Sequence, residues 1–352
     1  MQLKITSLGI ACGLLFVLLN VVNASEAQTL SDMRNAASAW LESLSPELRE
    51  RATFSLDDSE RKAWSNLPAS MFKREGVRFG QMSESQRVLA HRLMRSTLSS
   101  QGYLKASGII RLDEILKGLT ASDKLQFGQE NYWIGIFGNP REDVAWGWQL
   151  DGHHLALNFT VVGDQLSVTP AFLGSDPAEI PNGADAGWYV LSDEDKQGRA
   201  FWASLDLSQR AAALLDGETP QDVITGPGRA DQAPGMSGLP LTKMNEQQRE
   251  KFINLLQVYI GNLAPELAAA QSRRIFAAGV DKLHFAWSGT EQGKPYYYRI
   301  HGPTVLVEFE NSYPPGQGSG KINHIHAVWR DSERDFGDDL LRRHYETSPH
   351  HQ

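Results

Sequence analysis

Trp133–Phe159, WIGIFGNPREDVAWGWQLDGHHLALNF, reads against Leu283–Phe309, LHFAWSGTEQGKPYYYRIHGPTVLVEF, without a gap at an offset of 150 residues. Each stretch closes on an apolar residue, a polar one and a glycine, Gly152 or Gly302. Alternating apolar residues follow, ending in Asn158-Phe159 or Glu308-Phe309. Upstream of each lies a similar helix start: Met82, Glu84, Gln86 and Arg87 against Met244, Glu246, Gln248 and Arg249. Self-similarity on this scale predicts a duplicated structural unit. The period-two alternation predicts strands. The fold expected is α+β, built of internally duplicated helix-then-antiparallel-meander units after an N-terminal helical segment. Unequal residues at equivalent positions then mark what each copy is kept for.

Working outward, Ser45-Pro46-Glu47 is a helix start, with Ser as cap, Pro at the first position and Glu at the positive end. Ser83 with Gln86 has capping-box spacing, and Val88, Leu89, Leu93, Met94 and Leu98 form an apolar stripe behind it. Related starts recur at Leu207-Ser208-Gln209-Arg210 and Met244-Asn245-Glu246. Strands are expected over Tyr132–Phe137, Trp146–Leu150, His154–Val162 and, after the Gly163-Asp164 turn, Gln165–Phe172. The second set is Lys282–Ser288, Tyr296–His301, Thr304–Glu310 and Lys321–Arg330. The chain divides into a signal segment 1–24, a helical region 25–125 and a first β-rich half with connecting helices 126–225. A Gly/Pro-rich loop 226–241, a second helix-plus-β half 242–346 and a disordered tail 347–352 complete it. The loop reads as a connector or as a lid.

The N-terminus has Lys4, an apolar run from Ile5 to Val22 and small residues at which cleavage near Ala24 or Ala27 is expected. This is the pattern of a secretory signal peptide, which implies a secreted or periplasmic protein with no stable membrane association after cleavage. Cys12 is the sole cysteine and lies in that run. The remaining chain, roughly 325 residues, has no thiolate ligand, cysteine nucleophile or disulfide, yet is long enough for an ordinary core. Losing Lys4 moves the formal charge from -8 to -9. An acidic chain without a basic run excludes nucleic acid as the expected partner and leaves a small-molecule or polymer-fragment ligand.

The histidines carry the candidate chemistry. Asp151-Gly152-His153-His154 begins a strand, where adjacent side chains point to opposite faces, so one histidine of the pair is expected at any cavity. Asn323-His324-Ile325-His326 has the one-residue gap that puts both imidazoles on one face. Two neutral imidazoles supply half a site for zinc, iron or copper; a hydrogen-bonded structural pair is the competing reading. Across the repeat, Asp151 matches His301, His153 and His154 match Pro303 and Thr304, and Asn158 matches Glu308. A cleft between the halves would collect His153 or His154 from one copy and His301, Glu308, His324 and His326 from the other. Glu308 could equally cap a strand or meet solvent. Asp331 or Asp335 could orient a histidine as an acceptor, as could Asp151.

Other patterns carry less. Asp331, Glu333 and Asp335 alternate as in a calcium loop, but Phe336 stands where an EF-hand turn needs glycine and Arg342 where it needs glutamate. Gly318, His324, His326 and Asp331 approach a cupin metal motif, with Asp for Glu and one residue too few before Gly337. Nucleophile-elbow and P-loop patterns are absent. Trp133, Trp146, Trp148, Tyr296, Tyr297 and Tyr298 form either a sheet core or a stacking wall for a sugar or aromatic ligand.

Three segments carry a resemblance: Trp146-Gly147-Trp148-Gln149-Leu150-Asp151-Gly152-His153-His154, Thr169-Pro170-Ala171-Phe172-Leu173-Gly174, and Asn323-His324-Ile325-His326 through Asp335-Phe336-Gly337-Asp338 to His344-Tyr345. With these the chain resembles the bacterial and fungal family catalogued as domain of unknown function 3500, over nearly all its length after the signal. That resemblance implies no established activity. The residues themselves point to a divalent-metal protein, a hydrolase or an oxygenase, with a histidine-rich site between the halves. The alternative is a non-catalytic extracytoplasmic ligand-binding protein with an aromatic cleft.

Overall fold

The computed structural model describes residues 8–120, 124–142, 144–289, 293–314, 316 and 319–347, with side chains from residue 25 onward. The side chains of the expected signal segment 1–24, together with Gly318, His350 and His351, lie outside the described residues.

The chain begins with α1 (Leu8–Ser43) and α2 (Pro46–Ala52), the latter capped by the Ser45 hydroxyl, which accepts from the Leu48 N–H. Two short strands, β1 (Thr53–Phe54) and β2 (Val77–Arg78), flank an irregular stretch. Then α3 (Glu84–Thr97) starts on a complete capping box between Ser83 and Gln86, and α4 (Ser100–Leu119) follows. Next come β3 (Tyr132–Phe137), β4 (Ala145–Gly152), β5 (Leu155–Val162), β6 (Gln165–Ser167) and β7 (Ala171–Ser175). Helices α5 (Ser192–Ala203) and α6 (Leu207–Ala213) lead to β8 (Leu239–Pro240), α7 (Glu246–Ile260) and α8 (Pro265–Ala277). The described chain closes with β9 (His284–Ser288), β10 (Tyr296–Gly302), β11 (Val305–Ser312), β12 (His324–Arg330) and α9 (Asp338–Thr347).

All the strands belong to one mixed sheet, in the order β1-β3-β4-β5-β7-β12-β11-β10-β9-β8, with β2 on β3 and β6 on β5. Among the described strands, only the β1–β3 pair is parallel. The antiparallel β7–β12 pair joins β3–β7 to β9–β12 at the centre. Element order is similar on both sides, apart from β6, which has no counterpart between β11 and β12. In each, a two-residue strand runs through a 3-10 turn into a helix with a capping box, Ser83/Gln86 or Asn245/Gln248, and then into the meander.

The strand register reproduces the 150-residue offset across the central hairpins: Trp148 faces Phe159 and Gly152 faces Leu155, as Tyr298 faces Phe309 and Gly302 faces Val305. The ungapped alignment does not extend further back. Asp151 faces Trp133, but His301 faces His284, one residue later than that offset requires. The loop between β3 and β4 is therefore one residue longer than its counterpart. The two glycines are needed for close approach: a Cβ on Gly152 would fall 2.2 Å from the Tyr132 ring, and one on Gly302 would fall 2.5 Å from Leu283. The strand expected over Gln165–Phe172 is broken in two at Val168-Thr169-Pro170, where proline cannot donate to the ladder.

The sheet separates two chemistries. Its helix-covered face holds the main apolar core, including Trp148 stacked on Phe159 at 4.6 Å and Tyr298 on Phe309 at 4.9 Å. Trp146, Trp148, Tyr296, Tyr297 and Tyr298 are all buried and build the sheet, while Trp133 is half-buried with the Arg74 guanidinium 5.7 Å from its ring, so the six form no open stacking wall. The other face is covered by the stretches 55–76 and 214–238 rather than by regular helices. Beneath them a small cluster of Trp64, Ala156, Phe172, Val223 and Val328 is surrounded by buried polar groups: Asp151, Asn158, Arg299, Glu308, Glu310, His324, His326 and Arg330. Burying so many polar side chains is unfavourable unless each is paired. Among the described residues, no helix is long and apolar enough to cross a membrane.

Candidate metal centre

Strand alternation puts His324 and His326 of β12 on the polar face. Across the ladder His326 is opposite Glu310 of β11 on one side and Gly174 of β7 on the other, while His324 is opposite Ser312. Gly174 leaves room for a third imidazole. A Cβ there would come within 2.8 Å of the His154 ring. The His154 carbonyl accepts from the Gly174 N–H at 2.7 Å and its own N–H donates to the Asn66 carbonyl at 3.2 Å, which pins the β4–β5 turn over β7.

His153 and His154 are the two turn residues between Gly152 and Leu155, not strand residues. The expected opposite facing is therefore overturned. Their rings stack at 3.9 Å with 24° between planes. His154 has φ +60, a conformation that side-chain-bearing residues take at a cost and that recurs at functional sites. His153 points to α4, its Nδ1 2.6 Å from Asp113 Oδ1, and His154 points to β12.

His154, His324 and His326 form a buried trio, each 6–7 % exposed, with one ring nitrogen from each lying within 4.8 Å of the others. The Nε2 atoms of His154 and His324 are 3.2 Å apart. Two imidazole nitrogens bound at 2.0–2.1 Å to one tetrahedral ion are separated by ~3.3 Å, so this spacing suits a shared ion. Burial pushes both rings well below the usual histidine range, reinforced for His154 by His153, His324 and His326 and for His324 by His326 and His153. They are neutral at pH 7, the state in which imidazole donates a lone pair to a metal.

Two carboxylates complete the surroundings. Asp222, in the loop after α6, accepts from His326 Nδ1 at 2.8 Å through Oδ1 and from Arg229 at 2.5 Å through Oδ2. Burial works to raise its carboxyl, but the hydrogen bond and charge of His326, with those of Arg229, outweigh this and hold it below the usual range. Glu310 lies 3.8 Å from the same Nδ1. It is fully buried, and neither of its oxygens has a hydrogen-bond partner. Burial drives its carboxyl well above the ordinary range. Asp222, Glu310 and His326 form a second group whose ligand atoms lie within 4.8 Å of one another.

The remaining expected residues stand elsewhere. Glu308 shares a strand face with Glu310, but its carboxylate is occupied: it accepts from the Ile224 N–H at 2.7 Å, the Thr225 N–H at 2.9 Å, the Thr225 hydroxyl and the Tyr297 hydroxyl. It anchors the loop that carries Asp222. His301 pairs across the ladder with His284 and, on its other side, with Leu306. Leu306 is four residues along β11 from Glu310, which puts His301 roughly 13 Å along the sheet from the trio. Asp151 binds Arg74 at 2.9 Å and the Ser65 N–H at 3.4 Å, fixing the stretch that presents Asn66. Burial pushes its carboxyl up to about 7 against the pull of Arg74. Neither Asp331 nor Asp335 orients a histidine: Asp331 holds Arg274 at 2.9 Å, and Asp335 holds Arg330 at 2.6 Å. Arg330 in turn donates to the Thr225 and Gly226 carbonyls, steadying the Asp222 loop from below.

Asp222, Glu310, Asn66 and Asp113 are contacts that sequence reasoning missed. Glu310 had one signal, its two-residue spacing from Glu308, but selecting it needed the β11–β12 register. Asp222 had none.

All the residues of both groups fall within 26–338, the span matched by the model of the family described as "Protein of unknown function (DUF3500)", and the chain belongs to that family. No curated protein and no solved structure matches the chain.

Proposed function

We propose that this protein is a metal-dependent enzyme of the extracytoplasmic space, with a divalent ion held by His154, His324 and His326. The observation that carries the reading is the 3.2 Å separation of two buried imidazole nitrogens beside a third. Two neutral rings whose Nε2 atoms meet share one proton between them; with that proton moved to the Nδ1 of the donating ring, both Nε2 lone pairs would be free to hold an ion. Asp222 supports the role of His326: accepting from Nδ1–H selects the tautomer with its lone pair on Nε2, where the Asn66 amide Nδ2, 3.5 Å away, is the donor an ion would displace. Zinc, iron or copper suits an imidazole-rich set. Such an ion supplies Lewis acidity toward a substrate oxygen or activates water or dioxygen, the chemistry of a hydrolase or an oxygenase. The chain's own part is to keep the His154 and His324 rings neutral, fix the orientation of all three and exclude bulk water beneath the two covering loops.

The buried sheet aromatics count against a non-catalytic aromatic cleft. Residues 1–24 fit an export signal, which would place the site outside the cytoplasm. Matched element order and hairpin register support descent from a duplicated unit, with the trio drawn from the turn of one copy and the last strand of the other.

Elemental analysis of the purified protein tests the reading, with His324→Ala as the control. The expected result is at least one tightly held equivalent of zinc, iron or copper, lost in the variant while its circular dichroism is retained. Absence of metal after reconstitution, or equal metal in the variant, overturns it.

A further inference from the structure

Glu310 poses a separate problem. A fully buried carboxyl group that completes no hydrogen bond on either oxygen, with only the weaker pull of the Ser312 hydroxyl and the His326 N–H on it, is costly to hold ionised. It faces the Nδ1 side of His326, where Asp222 Oδ1 also converges, and these three ligand atoms lie within 4.8 Å of one another. Arg229, the cation beside Asp222, is spent on the outer oxygen of that residue and on the Val223 carbonyl. The trio's ion cannot also answer Glu310 through the same ring nitrogen, because the two nitrogens of an imidazole point to opposite sides of the ring.

Resting on the metal site proposed above, we infer that Asp222, Glu310 and Nδ1 of His326 hold a second divalent cation, which makes the centre dinuclear with His326 between the ions. Two carboxylate oxygens and one nitrogen form a harder donor set than three imidazoles, so the two positions differ in preference and the second favours zinc, manganese or ferrous iron over cuprous copper. Asp222, whose side chain is 36 % exposed, is the solvent-facing edge of this position. Binding exchanges one bond for another. The Nδ1–H bond of His326 would break and the electron pair left on Nδ1 would bind the cation; its proton, and the one that burial favours on the Glu310 carboxyl, would pass to solvent. The ring then contacts the trio's ion through Nε2 as an imidazolate. That deprotonation makes the second equivalent the weaker one.

The test is isothermal titration of the chelator-stripped full chain with Zn2+, repeated in two buffers of different ionisation enthalpy to count released protons. Wild type is expected to take two equivalents, the second at least tenfold weaker and accompanied by proton release. Glu310→Gln, close in shape, is expected to keep the first and lose the second. Saturation of wild type at one equivalent, or two equivalents in Glu310→Gln, overturns the second position while leaving the trio intact. No uptake by wild type overturns the trio and, with it, this inference.

Discussion

Asp222 and His326 lie 104 residues apart in the chain and meet at 2.8 Å, carboxylate Oδ1 to imidazole Nδ1. The contact decides which nitrogen of His326 carries the proton, and so which one can serve the trio. It also links the loop after α6 to the centre of the sheet.

Asp222→Asn keeps the shape but offers an amide that can donate as well as accept, so the tautomer is no longer fixed. Loss of such an orienting carboxylate typically costs 10–100-fold in metal affinity. Competition against a chromophoric chelator should show a drop of that size at the tight site. Unchanged affinity would mean that Asp222 does not orient His326.

Gly174→Ala should disable the site from behind. The new Cβ would stand 2.8–3.1 Å from three atoms of His154, which cannot retreat while its backbone is tied to Gly174 and Asn66. A stability loss of about 1–3 kcal/mol is expected from such overpacking. Metal retention should fall more than the melting temperature suggests; a variant that holds metal as wild type does would show that His154 is not a ligand.

Glu308→Gln removes a charged acceptor from four donors, two backbone N–H groups and the hydroxyls of Thr225 and Tyr297. Leaving one or two buried donors unpaired costs roughly 2–4 kcal/mol. Urea denaturation should show that loss, together with faster proteolysis within residues 214–238. A stable variant with an unchanged loop would refute the anchoring role.

His301 gives a pH signature apart from the metal. Burial, with Arg299 and His284 adding to it, lowers its ring to about 4 from an ordinary 6.5. Between those values the unfolded chain binds a proton that the folded chain does not, so stability should rise with pH across the window. The contribution is fully present above about 6.5 and is lost as pH falls toward 4. His301→Gln should flatten the melting temperature profile between pH 4 and 6.5 relative to wild type. An identical slope in both proteins would contradict the assignment.

Much of this architecture was legible from the chain itself. Ser83/Gln86 and Asn245/Gln248 cap the helices their spacing predicts, and the hairpin register follows the repeat. His-x-His on a strand necessarily shares a face, which is why His324 and His326 could be paired in advance. His301 and Glu308 stand out in the sequence because they match unequal residues, Asp151 and Asn158, 150 positions earlier. That comparison says nothing of distance along the sheet for His301, or of the loop that occupies Glu308. His153 and His154 were misjudged because a turn, not a strand, holds them. Asp222 was beyond reach: a loop residue 104 positions from its partner has no periodicity to reveal it.

An ion held by His154, His324 and His326 would be visible in a crystal. Anomalous diffraction collected across the zinc, iron and copper edges from a crystal of the metal-reconstituted protein tests for it most directly. A peak is expected ~2.0–2.2 Å from the Nε2 atoms of both His154 and His324 and from one nitrogen of His326. An ordered, metal-saturated crystal in which those three rings contact one another with no peak among them would contradict it.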